Sequence, residues 1–245
     1  MKILITGAAG FLAKFVIDRL HKKHDLTLFD CVEMKTEARF IHRDITNYED
    51  VKRACEGQNA VIHLVALVRG REDKPHGTFA DVMVKGTWNV AQACATSDVK
   101  KVINISSIAA AGAPDRRERC YSASDHCGFH AQDAFYAISK YLGEEVLKAY
   151  HEAHGLSVIN LRPGVIAGDG ANGEPTAPMG KSPPFWFVYV HPEDVAQAVE
   201  RAIDQNNVNY GTFCIVAGRS DSLFDWREAA ETLGYAPEHN WEEIQ

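Results

Sequence analysis

The stretch over residues 2–30 constrains the fold of this chain more than any other feature. A short apolar run at residues 3–5 leads into a turn at residues 6–13 that contains two glycines, and an amphipathic helical pattern follows. Glycines let a backbone bend sharply and approach a ligand closely, because they carry no Cβ. The order of strand, tight turn and helix predicts that the free N–H groups at the helix start face an anion.

A second apolar run at residues 26–29 ends at Asp30, 20 residues after Gly10. A carboxylate at this place can accept hydrogen bonds from an adenosine ribose, while Gly7 and Gly10 let the turn approach a pyrophosphate. Ala13 is small enough for the helix to pack closely on the strand. Glycine spacing alone also fits an ordinary strand-to-helix turn. The complete order, with the second strand and its terminal acid, favours dinucleotide binding.

Strand and helix patterns alternate along most of the chain. Further strands are predicted at 39–43, 60–68, 99–105, 156–161 and 212–216, and further helices at 46–56, 78–95, 134–154, 192–204 and 223–233. This alternation predicts an α/β protein with a doubly wound parallel sheet, whose ligands bind at the carboxyl ends of the strands. We expect one domain over residues 1–245, in which about 165–190 and 217–245 form a small substrate-binding cap.

Composition argues against several classes of function. The formal net charge is −7 and the basic residues are dispersed, so we expect no nucleic-acid partner. No apolar run reaches the roughly 18 to 20 residues that span a membrane, and no charged leader precedes the first strand. The six cysteines contain no CxxC pair and lie mostly in apolar contexts, which favours reduced thiols in a cytoplasmic protein.

One predicted loop gathers Cys120, His126, Cys127 and His130. Cysteine and histidine are zinc ligands, but this spacing matches no common zinc pattern. We therefore predict no metal site.

Tyr136 and Lys140 are four residues apart, which places them on one face of a predicted helix. A free tyrosine has a pKa of about 10, so it acts as a base at neutral pH only if a nearby positive charge favours the phenolate. Lys140 or an oxidised nicotinamide can supply that charge. Ser107, at the end of the preceding strand, can hydrogen-bond the same substrate oxygen. The three residues predict a hydride-transfer site, although the tyrosine and lysine alone would also fit an ordinary helix surface.

Taken in chain order, the glycine turn, Asp30, Ser107, Tyr136 and Lys140 resemble the motifs of the short-chain dehydrogenase/reductase superfamily. The resemblance is specifically to its extended branch, the NAD-dependent epimerase/dehydratase family. The resemblance covers nearly the whole chain. It implies a Rossmann fold, NAD as the cofactor with Asp30 selecting it over NADP, and Ser107, Tyr136 and Lys140 as the catalytic residues. The implied cofactor-binding residues are Gly7, Ala9, Gly10, Phe11, Leu12, Asp30, Asp44, Ile45, Leu64, Val65, Ala66, Tyr136, Lys140, Pro163 and Val165.

Three positions leave alternatives or depart from the family pattern. Asp44 can cap the helix that follows it or reach the adenine. Met83 stands where the family usually has Asn, which removes a polar group near the nicotinamide. His63, inside a predicted buried strand, is interpreted as a core histidine rather than a catalyst.

The carboxyl-terminal part indicates the substrate class. About 80 residues follow Pro163, fewer than most nucleotide-sugar enzymes of the family have, and segments 222–226 and 233–238 are similar to those of uronate dehydrogenases. The resemblance implies an NAD-dependent oxidoreductase that transfers a hydride between a sugar or sugar-acid hydroxyl carbon and NAD, with Tyr136 as acid/base. The alternatives are a nucleotide-sugar epimerase or dehydratase with tightly bound NAD, and a non-catalytic dinucleotide-binding sensor. We also expect a homo-oligomer.

Overall fold

The structure, a computed structural model, describes residues 1–67, 74–112, 120–129, 134–167 and 188–240. The strands are β1 Lys2–Thr6, β2 Asp25–Asp30, β3 Arg39–His42, β4 Ala60–His63, β5 Lys101–Ile105, β6 Ser157–Pro163, β7 Val165–Ile166, β8 Tyr189–Val190 and β9 Tyr210–Ile215. Seven of them form one parallel sheet in the order β3-β2-β1-β4-β5-β6-β9, and β7 pairs with β8 beside it. All seven carboxyl ends therefore meet at one edge.

Helices cover both faces of the sheet. They are α1 Phe11–Leu20, α2 Tyr48–Cys55, α3 His76–Phe79, α4 Gly86–Ala95, α5 Ala134–His154, α6 Pro192–Asp204 and α7 Arg227–Leu233. A π-helix, Ala80–Lys85, joins α3 to α4, and a 3₁₀ helix, Ile108–Ala111, follows β5. One core cluster lies among β1, α1, α6 and α7, and another lies beneath α2, α4 and α5. This arrangement confirms the predicted doubly wound α/β fold, whose order reverses between β1 and β4.

The start of α2 settles one of the alternatives left open by the sequence. Asn47 caps this helix, because its side-chain oxygen accepts hydrogen bonds from the N–H groups of Glu49 and Asp50 at 3.1 and 3.4 Å. Asp44 instead accepts from the Thr46 N–H at 2.9 Å, which forms a turn before the helix. The interpretation of Asp44 as the helix cap is therefore wrong.

Three predicted elements differ from those observed. Strand β4 ends at His63, since the backbone then crosses over Gly7. The predicted helix 78–95 contains the π-helical turns, and the last helix begins at Arg227 instead of 223, because Phe224 pairs with Tyr121 in an isolated bridge. Much of the predicted cap segment 165–190 lies outside the described residues.

A row of polar side chains crosses the sheet just below its carboxyl edge. Thr6, His63, Asn104, Asn160 and Thr212 are in register on five adjacent strands. Thr6 Oγ1 lies 2.7 Å from His63 Nδ1, the Asn104 amide donates to Asn160 Oδ1 at 2.8 Å, and the Asn160 amide donates to Thr212 Oγ1 at 3.2 Å. Buried polar groups that are hydrogen-bonded in this way favour one specific strand register. The row therefore fixes the relative positions of the strands directly under the site.

Candidate active site

The turn after β1 has the geometry that the sequence predicts. Gly7 adopts a φ of +76°, and a Cβ at this position would lie 2.9 Å from the Val65 nitrogen, so only glycine fits without displacing the backbone. The Gly7 N–H donates to Phe29 O at 2.9 Å. No side chain caps α1, which begins after Gly10 with no acidic residue in its first turn. The first N–H groups of α1 are therefore available to an anionic group.

Asp30 lies next to this turn. It is the last residue of β2, and its two carboxylate oxygens accept hydrogen bonds from the N–H groups of Ala9 and Val32, at 2.9 and 2.8 Å. The structure thus brings the predicted ribose-binding acid to the predicted pyrophosphate-binding turn, although Asp30 and Ala9 are 21 residues apart in the sequence. Its selection of NAD over NADP stays a prediction.

The other predicted cofactor contacts form the walls of the same edge. Ile45 is buried, where its side chain would meet any Cβ added to Gly86, and its carbonyl accepts a hydrogen bond from Asn89 Nδ2 at 2.9 Å. Leu64 is buried, whereas Val65 and Ala66 are half-buried, directly after β4. These backbone segments lie on both sides of the point where the strand order reverses.

Lys140 is held at the centre of the edge. Its ammonium donates to Ile105 O at 2.6 Å and to Val65 O at 3.3 Å, which joins the end of β5 to the segment after β4. The side chain is buried, and burial lowers the pKa of Lys140 to about 8, although the nearby charge of Glu144 acts in the opposite direction. The ammonium therefore titrates close to the pH range in which enzymes work.

Ser107 and Tyr136 lie close to Lys140 in the fold. Ser107 follows β5, whose last carbonyl accepts a hydrogen bond from Lys140, and Tyr136 belongs to α5, as Lys140 does. Ser107 is two residues beyond Ile105, and its Oγ accepts a hydrogen bond from the Ala109 N–H at 3.2 Å, which starts the 3₁₀ helix. Tyr136 is half-buried in the first turn of α5, one helical turn before Lys140. The three predicted catalytic residues thus come from neighbouring elements at one edge, and their roles stay predictions.

Pro163 and Val165 mark the other wall of the site. Pro163 is the last residue of β6, and Val165, which is 39% exposed, begins β7. Between them, the Gly164 N–H donates to Ile215 O at 2.9 Å, and a Cβ on Gly164 would lie only 1.9 Å from Val188 O. The glycine therefore lets the segment before β8 pass directly against the end of β6.

His63 and Met83 lie under the site in a buried hydrogen-bond chain. The His63 ring contacts Thr6 Oγ1 at 2.7 Å and Thr87 Oγ1 at 3.0 Å, and Thr87 Oγ1 donates to Met83 O at 2.6 Å. Burial, together with the charge of Lys140, lowers the pKa of His63 to about 3. His63 is therefore a neutral core histidine, as predicted, and Met83 contributes a carbonyl to the chain.

Sequence reasoning missed a buried ion pair beside the site. Arg162, in β6, donates from Nε to Glu144 Oε1 at 2.8 Å and from NH2 to Glu144 Oε2 at 2.6 Å. The side chains are only 7% and 4% exposed. One signal was available in the sequence, because a glutamate one turn after Lys140 and an arginine within an apolar strand are both unusual in buried elements.

One group of possible metal ligands in the described part of the chain lies at the start of α6, formed by His191, Glu193 and His239. The two imidazole rings stack at 3.8 Å with an interplanar angle of 18°, so their lone pairs run nearly parallel and do not converge on one ion. His191 also caps α6, and His239 contacts Asp194 Oδ1 at 3.2 Å. We assign no metal to this group. His130, of the predicted loop cluster, lies outside the described residues.

Comparison with known proteins identifies the class of the chain. The model of the NAD dependent epimerase/dehydratase family matches residues 3–186. The chain belongs to this family. Membership confirms the resemblance seen in the motifs, the enzyme class and NAD as the cofactor.

Individual relatives include dehydrogenases of sugars and sugar acids. The chain is 24% identical to L-arabinose 1-dehydrogenase (NAD(P)(+)) from Haloferax volcanii, covering 98% of this chain and 97% of that protein. It is 25% identical to uronate dehydrogenase from Pseudomonas syringae pv. tomato, covering 98% of this chain and 83% of the relative. Uronate dehydrogenase from Agrobacterium tumefaciens has a similar structure, with a TM-score of 0.82, 16% identity and coverage of 97% and 84%. A mutant of that enzyme has been solved complexed with NAD.

Among the described helices, none combines the length and the apolar character needed to cross a bilayer.

Proposed function

We propose that this protein is an NAD-dependent dehydrogenase that oxidises a hydroxyl-bearing carbon of a free sugar or sugar acid. The observation that carries the proposal is the buried ammonium of Lys140, fixed by two carbonyls at the strand edge one helical turn after Tyr136. A cation held there favours the phenolate form of the tyrosine. The same edge carries the glycine turn and Asp30.

The residues present fit NAD. The missing Cβ of Gly7 and the uncapped start of α1 make room and provide N–H donors for a pyrophosphate, and Asp30 provides ribose acceptors. Leu64, Val65, Pro163 and Val165 would form the walls of the remaining site. When bound, the nicotinamide supplies the hydride acceptor.

Each of the three polar residues has one step in the proposed mechanism. Ser107 Oγ hydrogen-bonds the substrate hydroxyl and orients it. Tyr136 removes the hydroxyl proton while the hydride leaves the same carbon, so a carbonyl forms as two electrons leave the sugar. Lys140 holds the phenolate form of Tyr136 and the nicotinamide ribose. General-base catalysis is typically worth about 10²- to 10⁴-fold.

The names of two relatives support a small substrate. The chain covers nearly the full length of the L-arabinose dehydrogenase and 83% of the uronate dehydrogenase, whose names specify a free sugar and a sugar acid. We place the substrate-binding cap in segments 165–190 and 217–245, and we infer that the site accepts a monosaccharide rather than a sugar linked to a nucleotide.

A substrate screen tests this proposal. Purified protein is assayed for NADH or NADPH formation with free aldoses, uronates and sugar phosphates, and the expected result is repeated turnover with NAD and at least one free aldose or uronate. Tightly retained NAD with no net reduction would favour a nucleotide-sugar epimerase. Reversible NAD binding without turnover on any sugar would favour a sensor.

Tyr136→Phe is the matched variant for the screen. It removes the phenolic oxygen and keeps the ring, so we expect NADH binding close to that of the wild type and a loss of turnover of at least about 10²-fold. Isothermal titration and steady-state kinetics measure the two quantities. Turnover near the wild-type value would remove Tyr136 from the mechanism.

We also propose that the protein forms a homo-oligomer through α4 and α5. These helices pack together, and Trp88, Ile138 and Leu142 are 51%, 39% and 41% exposed on them. Exposed apolar side chains on adjacent helices suit a two-fold interface with a second copy. Sedimentation equilibrium should show an oligomer that Trp88→Lys weakens, whereas a monomeric wild type would contradict the proposal.

The six free cysteines support the cytoplasm as the compartment of this protein, and the net charge supports a set of partners without nucleic acid.

A further inference from the structure

Arg162 joins its own strand to two other parts of the fold. It belongs to β6, its Nε and NH2 donate to the two oxygens of Glu144 on α5, and its NH1 donates to Ala123 O at 2.8 Å. Ala123 belongs to the segment of residues 120–129, here called the 120–129 loop. The planar guanidinium provides donors in a fixed fork, so one side chain sets the relative position of all three parts.

The 120–129 loop has further attachments on both sides of Ala123, and its His126 and Phe129 pack on Tyr141 of α5, with ring centroids 5.3 and 6.1 Å apart. The Tyr121 N–H donates to Leu223 O at 2.8 Å, and the Asp225 N–H donates to Tyr121 O at 2.7 Å, which join the loop to the segment after β9. The Cys127 N–H donates to Ala111 O at 2.7 Å, which joins the loop to the 3₁₀ helix that Ser107 caps. Arg162 holds the middle of the loop, on the side of α5.

The ion pair is poorly explained by stability alone. Arg162 and Glu144 are almost fully buried, and the cost of removing such charges from water offsets most of their attraction. Burial alone would lower the pKa of Arg162, but the hydrogen bonds and charge of Glu144 raise it, so the guanidinium stays charged. An apolar pair of similar volume would fill the same space at similar stability. Geometric precision is what the charged fork adds.

Glu144 lies one helical turn after Lys140 on α5, two turns after Tyr136. We propose that Arg162 and Glu144 are positioning residues that fix the 120–129 loop to the catalytic helix, and thereby set the position of the substrate hydroxyl relative to Tyr136. This inference rests on the proposed sugar dehydrogenase function. The loop is hydrogen-bonded to the 3₁₀ helix that follows Ser107 and packs on α5, which carries Tyr136, so it borders the elements that would present both residues to a small substrate.

The test is the double variant Arg162→Met/Glu144→Leu. It removes both charges at once, so neither is left buried without its partner. We expect thermal stability and the KM for NAD to stay close to wild type, while kcat/KM for the sugar falls at least about 10-fold, because displacement of about 1 Å in a reacting group can cost about 10²-fold. The single variant Arg162→Lys keeps the charge but not the fork, and it should recover only part of the loss.

A matched control uses another ion pair. Arg19 Nε and Glu200 Oε2 are 2.6 Å apart and join α1 to α6, away from the 120–129 loop, and the exposed Lys23 also donates to Glu200 Oε1. The double variant Arg19→Met/Glu200→Leu should leave both KM values and kcat within about 2-fold of wild type. A sugar kcat/KM within about 3-fold of wild type for Arg162→Met/Glu144→Leu, or a loss that follows the NAD affinity and the melting temperature, would overturn the inference.

Hydrogen exchange separates this inference from the proposed function. Backbone amides of residues 120–129 should exchange faster in Arg162→Met/Glu144→Leu than in wild type or in the control, whether or not a sugar is turned over. Faster exchange in a protein without any sugar activity would support the attachment of the loop and reject the dehydrogenase. Unchanged exchange of this loop would overturn the attachment itself.

Discussion

At the scale of single residues, the site depends on groups whose charge state is set by their surroundings. Lys140 and His63 both lose protons more readily than in water, because burial disfavours their charged forms. The consequences differ, because Lys140 lies one helical turn after the predicted proton-transfer residue, whereas His63 is enclosed between two threonines. At neutral pH, Lys140 therefore carries a positive charge near the negative charge of Glu144, whereas His63 is uncharged.

His63 makes the stability of the fold sensitive to acid. Its folded-state pKa of about 3 lies below the ordinary 6.5, so its contribution is fully present above pH 6.5 and is lost progressively as the pH falls toward 3. We expect His63→Gln, which can hydrogen-bond both threonines without titrating, to lose less stability than wild type between pH 7.5 and 5, by about 2 kcal/mol. Urea unfolding at the two pH values measures this difference. Equal losses in the two proteins would contradict the assignment.

Asp30 determines the prediction about cofactor choice. Asp30→Asn keeps an oxygen that can accept from the Ala9 N–H and removes the negative charge that opposes a 2′-phosphate. The ratio of kcat/KM for NAD to that for NADP should fall at least about 10-fold in this variant. Asp18→Asn, at an exposed position on α1, serves as the control. An unchanged ratio for Asp30→Asn would refute the role of Asp30 in selection.

At the scale of elements, the sequence predicted the glycine turn and the existence of the main helices, whereas the boundaries of several helices depended on contacts between distant segments. The Gly7 turn and the 134–154 helix were predicted because glycine conformation and helical periodicity are local properties. The pairing of Arg162 with Glu144 depends on packing of β6 against α5, which no local pattern encodes. The π-helix before α4 was missed for the same reason, since its apolar residues also fit an ordinary helix.

The cap of α2 gives a prediction at this scale. Asn47 satisfies two N–H groups at the helix start, whereas the sequence analysis had considered Asp44 as a cap, with a contact to the adenine as the alternative. Asn47→Ala should lower the free energy of unfolding by about 1 kcal/mol, while Asn47→Ser should retain most of it. Chemical denaturation of both variants, with Asp44→Ala as the comparison, measures the difference. A larger loss for Asp44→Ala than for Asn47→Ala would contradict the observed cap.

At the scale of the whole molecule, a parallel sheet brings residues from distant parts of the chain to one edge. Gly7, Asp30, Ser107 and Pro163 each follow or end a different strand, so the predicted parallel sheet alone implied that they would meet at one edge. The sequence did not predict the substrate contacts, because the segments proposed to form them lack periodicity, and residues 120–129 are held by tertiary contacts such as that of Arg162 with Ala123. Family membership supports the chemistry, and the names of the relatives support the proposal of a free sugar or sugar acid as substrate.

The most direct measurement of the central claim follows deuterium from sugar to cofactor. The protein is incubated with NAD and uniformly C-deuterated L-arabinose or D-glucuronate, and the NADH formed is examined by mass spectrometry and NMR. If Tyr136 and bound NAD oxidise a hydroxyl carbon, each NADH should carry one deuterium at the nicotinamide C4, and Tyr136→Phe should form almost none. NADH without deuterium, or no NADH from any free sugar or sugar acid, would contradict the account.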